Sequence, residues 1–285
     1  MGDYLALFGD PRPGVGVLSD GVPDIAWCPV DLPPDVRGKL LKFRNERGQV
    51  YGQFMLEPYY VARYPVTFGQ FRAFLESDDG FQNPEWWAGM PAERVQQAMY
   101  LLPGRTPHDN QPRDTVSWFQ AVAFTGWLNA RLHGQVLDNP ADRAHPFVIG
   151  ETAEVRLPLE WEWQWAAGGM DATEYSWGAW DERCANTRSA RLGRTTAVGM
   201  YPHAASWCGA LDMSGGVWEW CLNEYQHPSI VSFASESSRV LRGGSFVDVP
   251  EYAVNGSRFN DLPNRRLDYY GLRVVCAPAL RRQNR

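Results

Sequence analysis

No apolar run in the 285-residue chain approaches the length of a membrane span, so membrane insertion is not expected. The opening MGDYLALFGD lacks a basic stretch and a cleavage site, and Ala6 breaks the myristoylation pattern begun by Gly2. A cytoplasmic location is therefore expected. Positive charge is also short: 27 Lys and Arg against 33 Asp and Glu leave a net charge of −6. Without a contiguous basic stripe, nucleic acid is not an expected partner. The Arg281, Arg282 and Arg285 end reads as a solvated tail. The five cysteines, Cys28, Cys184, Cys208, Cys221 and Cys276, contain no CxxC pair. An odd number at wide spacing argues against a disulfide framework and a structural zinc site, and for mostly buried free thiols. GxSxG, HExxH and P-loop patterns are absent. Gly14-x-Gly16 meets Ser19 where a phosphate loop needs its third glycine. His108, His133, His145, His203 and His227 include no HxxxH pair. No fixed period appears, which disfavours a solenoid or propeller.

What is abundant is Trp (13), Pro (21) and Gly (27). Such composition predicts irregular backbone pinned by large aromatic anchors. Residues 1–25 read as an extended segment, and Tyr51 to Arg63 as a strand. Thr67-Phe68-Gly69-Gln70 fits a capping box, with Phe68, Phe71, Phe74 and Leu75 on one helical face. Ser117-Trp118-Phe119-Gln120 repeats the device ahead of Val122, Ala123 and Trp127. Two amphipathic helices need a partner layer, and a sheet is the expected one. Residues 79–116 read as a long structured loop, 132–155 as irregular, and Glu160 to Ala167 as a third short helix. Beyond 168, WGAW, SGGVWEW, LRGGSF and GLRVV suggest short strands of a small twisted sheet. The expected organisation is an extension, 1–21, and one domain, 22–285.

YPVTFGQFRAFL (64–75), RLPLEWEWQWAA (156–167), DMSGGVWEW (212–220), LRGGSF (241–246) and GLRVV (271–275) occur in an order that resembles the formylglycine-generating, sulfatase-modifying enzyme superfamily. The resemblance covers roughly residues 22–277. It implies an α+β, C-type-lectin-like fold with small twisted antiparallel sheets, two or three helices and long loops. There are departures. Leu159 stands in place of the family's Thr, and Gly216 in place of an Asn that lies near a bound calcium in the enzymes. Asp212 and Glu219 could still ligate a hard cation, or be capped carboxylates beside Trp218 and Trp220. The enzymes hold copper through two cysteine thiolates after the GGS motif, since Cu(I) prefers soft donors. The matching positions here are Asp248 and Ala253. The expectation is a chain that is not an enzyme and carries no cofactor, with calcium left open.

The segment RVLRGGSFVDVPEYAVNGSRFNDLPNRRLDYYGLRVVC (239–276) resembles the variable region of diversity-generating retroelement proteins, many of which share this fold. The resemblance implies a fixed frame of Arg242, Gly243, Gly244, Ser245, Pro250, Arg258, Pro263, Arg266, Gly271, Arg273 and Val274. Between these lie the candidate ligand-binding residues Val247, Asp248, Val249, Tyr252, Phe259, Asn260, Asp261, Leu262, Leu267, Asp268, Tyr269 and Tyr270. Scrambled adenines of AAC codons cannot yield Lys, Glu, Gln, Met or Trp, and none of the twelve is one of these. Tyr and Phe supply contact area, and Asp supplies orientation and charge selection. A protein or another exposed molecule is the expected partner. Two alternatives stay open: a metal-dependent oxidase or oxygenase, and a constitutive sensor domain, since DPRPGVG resembles a linker of bacterial multidomain proteins.

Overall fold

Both capping boxes start helices. The Thr67 hydroxyl accepts the Gln70 N–H at 3.2 Å while the Gln70 side chain accepts the Thr67 N–H at 3.0 Å. Ser117 and Gln120 make the same exchange at 3.2 and 2.9 Å. The computed structural model describes residues 2–104, 108–142 and 144–280, so Arg281, Arg282 and Arg285 lie outside it. The helices are α1 (Gly2–Phe8), α2 (Phe68–Glu76), α3 (Ala92–Ala98), α4 (Trp118–Arg131) and α5 (Glu160–Gly168). The strands are β1 (Trp27–Val30), β2 (Leu40–Arg44), β3 (Val50–Met55), β4 (Tyr59–Ala62), β5 (Val136–Leu137), β6 (Phe147–Val148), β7 (Ala153–Arg156), β8 (Trp218–Glu224), β9 (Arg239–Arg242), β10 (Phe259–Asp261), β11 (Tyr270–Gly271) and β12 (Val275–Pro278).

Two four-stranded sheets carry the molecule, in the orders β1-β4-β12-β7 and β10-β9-β8-β11. The first is antiparallel throughout. The second is antiparallel except where β11 runs parallel to β8, a departure from the all-antiparallel expectation. Every residue of β8 is buried, so the strand shows no alternation of polar and apolar residues. Several buried indoles offset the cost of burial by finding an acceptor for the N–H, although those of Trp165 and Trp177 have none among the described residues. Trp118 donates to the Cys221 carbonyl at 2.9 Å, Trp220 to that of Val116 at 2.9 Å, and Trp163 to Glu219 at 2.7 Å. Helices α2 and α4 meet through Phe71, Phe74, Phe124 and Trp127, with Phe71 and Phe124 ring centroids 5.3 Å apart.

Several local expectations change. The stretch Tyr51 to Arg63 is two strands in two sheets: β3 closes a hairpin with β2, while β4 lies between β1 and β12. Pro58, which has no N–H for a ladder, separates them. Residues 79–116 hold a 3-10 turn at Pro84–Trp87, capped by the Asn83 side chain on the Glu85 N–H at 3.0 Å, and also helix α3. The opening segment contains α1 and is strapped onto the start of α2. The Gln70 amide donates to the carbonyls of Gly14 and Asp24, and the Thr67 hydroxyl to that of Val15. Gly14 has φ +84°, and a Cβ there would fall 2.5 Å from that of Ala26. Cys28, Cys221 and Cys276 are buried free thiols, whereas Cys184 and Cys208 are half-buried. Desolvation pushes the Cys28 thiol up to about 11. Among the described residues no helix is long and apolar enough to cross a membrane.

The two sheets are joined by one buried ion pair. Arg273 and Glu219 are both fully enclosed, with N–O at 2.9 Å. The same guanidinium donates to the carbonyls of Ala62, Arg63 and Leu211 at 2.7–2.9 Å.

Candidate ligand-binding face

Arginines of the expected frame hold the C-terminal segment in shape. Arg242, fully buried, donates to the Asn255 carbonyl at 2.7 Å and lies over the Trp163 ring. Arg258 makes a two-pronged pair with the buried Glu160 carboxylate at 2.6 and 2.9 Å. Its guanidinium is also sandwiched between the Tyr51 and Tyr225 rings, 4.1 and 4.4 Å from their centroids. Arg266 donates to the Tyr100 carbonyl. The tight turn after β9 depends on glycine: Gly244 has φ +71°, and a Cβ there would sit 2.8 Å from Ala253 Cα.

Trp218, at the start of β8, is where three parts of the segment converge. Its indole N–H donates to Asp248 Oδ2 at 2.8 Å, its ring lies 5.3 Å from that of Phe259, and its backbone N–H donates to the Tyr269 carbonyl. In the sequence this Trp stands out only as part of a strand motif and as a neighbour of Glu219. Its role appears once strands distant in sequence lie side by side. Arg188, also missed, holds the same loop from outside by donating to the carbonyls of Val247 and Asp248. Nothing in its local pattern signals that contact.

Tyr252 (55% exposed), Leu262 (47%) and Phe259 (40%) present their side chains to solvent. Val247, Val249, Asn260, Asp261, Leu267, Asp268 and Tyr269 are half-buried. Burial together with the carboxylates of Asp248, Asp268 and Asp261 raises the Tyr269 hydroxyl above its ordinary pKa. Three members of the expected set do structural work, Asp261 among them as the acceptor for the Tyr270 hydroxyl and the Leu262 N–H. Tyr270 is a correction: it is 1% exposed, packed edge-on against Trp220, with its hydroxyl donating to Asp261 at 3.0 Å. Adjacent residues of extended backbone turn to opposite faces, and here Tyr270, at the start of β11, is the buried one while Tyr269 before it stays half-buried. Asp248 is half-buried, and one of its oxygens is already taken by Trp218 and by the Ser245 hydroxyl. Replacing Tyr270 by Phe should cost about 1 kcal/mol in urea unfolding, for one lost hydrogen bond. Tyr252→Ala should stay within about 0.5 kcal/mol of the parent.

The residues matched to the copper thiolates do not fit that metal. Asp248 offers a hard carboxylate already in use, and Ala253 a buried methyl. Among the described residues, no three His, Cys, Asp or Glu side chains gather as a metal-ligand set. Both oxygens of Glu219 are spent on Arg273 and Trp163. Asp212, in left-handed backbone with φ 57°, accepts the Gly199 N–H at 2.6 Å, and burial pushes its pKa up to about 6.

Residues 38–278 match the family described as the sulfatase-modifying factor enzyme 1-like domain. "Hercynine oxygenase" of Mycobacterium tuberculosis is 30% identical over 247 residues, covering 75% of this chain and 52% of that protein. "Formylglycine-generating enzyme" of the same organism is 31% identical over 300 residues, covering 87% of this chain and 97% of that one. The chain thus spans about half the length of the hercynine oxygenases it matches. Among solved structures, "Treponema denticola variable protein 1" superposes with a TM-score of 0.61 at 23% identity, covering 90% of this chain and 96% of that one. The α+β fold is the C-type-lectin-like, formylglycine-generating-enzyme kind that the motif order implied. The expectation that the chain is not an enzyme is overturned by the relatives at about 30% identity, which are named as enzymes.

Proposed function

The chain belongs to the sulfatase-modifying factor enzyme 1-like family, and from that premise we propose that it binds a ligand through the surface built by residues 247–269. The supporting observation is the exposure of Tyr252, Phe259 and Leu262 on a backbone held by buried arginines and Trp218. Large aromatic and apolar tips on a rigid base are what concentrates binding energy in few contacts. The composition of the twelve positions adds a second element: a segment varied by a retroelement while its frame stays fixed. Sequencing the flanking DNA tests that element. A neighbouring reverse transcriptase gene and an adenine-rich near-copy of the 239–276 coding region are expected; their absence removes it.

The binding role has its own test. Tyr252, Phe259, Leu262 and Tyr269 are changed together to Ala, and circular dichroism should report an unchanged fold. Probes selected on the parent from displayed dodecapeptide and immobilised glycan libraries should lose about 100-fold or more in affinity for this variant. Undiminished binding would assign recognition to another surface.

A second reading is favoured by the enzyme names of the relatives: the same surface receives a substrate for oxidation. Dioxygen uptake by the purified chain, supplied with iron or copper and with hercynine, measures it. The metal donors for such chemistry are not brought together among the described residues.

A further inference from the structure

A cleft of about 500 Å³ opens where three pieces of chain meet: the N-terminal segment at Asp20, the turn after α2 at Asp79, Asn83, Glu85 and Trp86, and the end of α4 at Arg131. That volume lies within the range of small-molecule sites. Its walls are tied to one another. The Trp86 indole N–H donates to the Asp79 carbonyl at 2.6 Å, and the Asn83 side chain caps the Glu85 N–H at 3.0 Å. One oxygen of the Asp79 carboxylate takes the Trp127 indole N–H at 3.1 Å and the Ser77 hydroxyl. The Arg131 guanidinium stands 3.5 Å from the other Asp79 oxygen and donates to the Asp20 carbonyl at 3.2 Å. The Trp86 ring rests on α4 over Gly126, where a Cβ would come within 3.6 Å of it. The cleft is therefore shaped before any ligand arrives, and little has to be ordered on binding.

Its charge is one-sided. Asp79 is answered by Arg131, and hydrogen bonds from the Ser77 hydroxyl and the Trp127 indole hold its carboxyl below the ordinary value. Asp20 and Glu85 have no ion-pair partner among the described residues, although Asp20 accepts the Val22 N–H at 3.1 Å. Arg131 is the last residue of α4, whose C-terminal carbonyls add partial negative charge at the same place. A metal ion does not fit, because among the described residues no three His, Cys, Asp or Glu side chains gather as a ligand set. Carboxylates too dispersed to converge on one ion suit a longer cation. Trp86 supplies an aromatic surface for a positive charge or for the carbon body that carries it.

We propose that this cleft binds a small organic amine, with its ammonium groups met by Asp20 and Glu85 and its carbon body against Trp86. The site shares no lining residue with the 247–269 face and stands whether or not that face takes a ligand. Exposed ion pairs contribute little each, so the affinity is modest and falls with added salt.

Isothermal titration calorimetry on the full chain tests it, with putrescine, spermidine and tyramine as probes and their fully N-acetylated forms as neutral counterparts. At least one amine should bind at low salt with a Kd of about 1 mM or tighter, and its acetylated form should not. Asp20→Asn with Glu85→Gln should weaken that binding about tenfold, and Trp86→Ala about fivefold, with circular dichroism reporting the fold of each variant. Asp20 and Glu85 are exposed, and Asp20→Asn keeps an acceptor for the Val22 N–H, so the double variant should fold and decides the case if Trp86→Ala does not. The quadruple alanine variant of the 247–269 face should bind the amine as the parent does. A panel with no amine reaching about 1 mM, acetylated forms that bind equally, or a double variant that binds undiminished overturns the proposal. Loss of amine binding in the quadruple variant alone overturns it too, by placing the amine on the other face.

Discussion

Arg273→Met is expected to lower the unfolding free energy by about 3–5 kcal/mol, read from the urea midpoint at neutral pH. The cause is what the substitution strands, more than the pair it removes. Glu219 is 1% exposed and would keep only the Trp163 indole as donor. Three backbone carbonyls, those of Ala62, Arg63 and Leu211, would lose a charged donor together. Arg273 follows β11 and precedes β12, whereas Glu219 lies in β8, so the pair ties one four-stranded sheet to the other. Removing Glu219 as well, in Arg273→Met with Glu219→Leu, should recover part of the loss, since apolar replacement of a buried pair is often neutral. Recovery stays incomplete because the carbonyls still lack the guanidinium, although that of Arg63 keeps the Leu211 N–H. A single variant within about 1 kcal/mol of the parent would show that water reaches this site and replaces the guanidinium.

The parts of the fold visible in the sequence were those written in local chemistry. Thr67 with Gln70 and Ser117 with Gln120 are side-chain devices four residues long, and both helices begin where those devices stand. Helix α3 was hidden because AERVQQA buries only Ala98, leaving no apolar stripe to read. The division of Tyr51 to Arg63 between two sheets was hidden because pairing partners come from the far end of the chain: β4 meets β12 some two hundred residues later. The same limit governs the candidate face. Its exposed tips were legible as aromatic and apolar residues set between glycines, prolines and arginines. Which neighbour of the pair Tyr269 and Tyr270 faces inward was not, because that depends on the placement of β11 beside β8. Asp248 read as a contact residue, yet one of its oxygens closes a turn through Ser245 and Trp218. A short polar side chain carries no mark of whether its partner is a ligand or its own frame.

Arg258→Ala should be the other severe change, with a cost of about 3–5 kcal/mol at neutral pH. It leaves Glu160, 0% exposed, with the Asn223 amide as its remaining side-chain donor at 3.1 Å. It also empties the space between the Tyr51 and Tyr225 rings. Desolvation already holds the Glu160 carboxyl above its ordinary 4.5, with Arg258 the largest opposing influence, so losing Arg258 raises it further. A carboxyl that binds its proton more tightly when folded favours the folded state at low pH, and that advantage is lost as pH rises through the folded pKa. The gap between parent and variant should therefore be smaller at pH about 4.5 than at about 7.5, by urea midpoints at each. A gap independent of pH would mean that Glu160 finds another cation. Arg258→Lys should fall between the two, since an ammonium keeps the charge but loses the two-pronged geometry and planar stacking. Binding gives a second reading of the same change. Arg258 touches only its own scaffold, but it fixes the backbone immediately before Phe259. Peptides that bind the parent should lose affinity for the Ala variant even where it remains folded, and regain it in part with Lys.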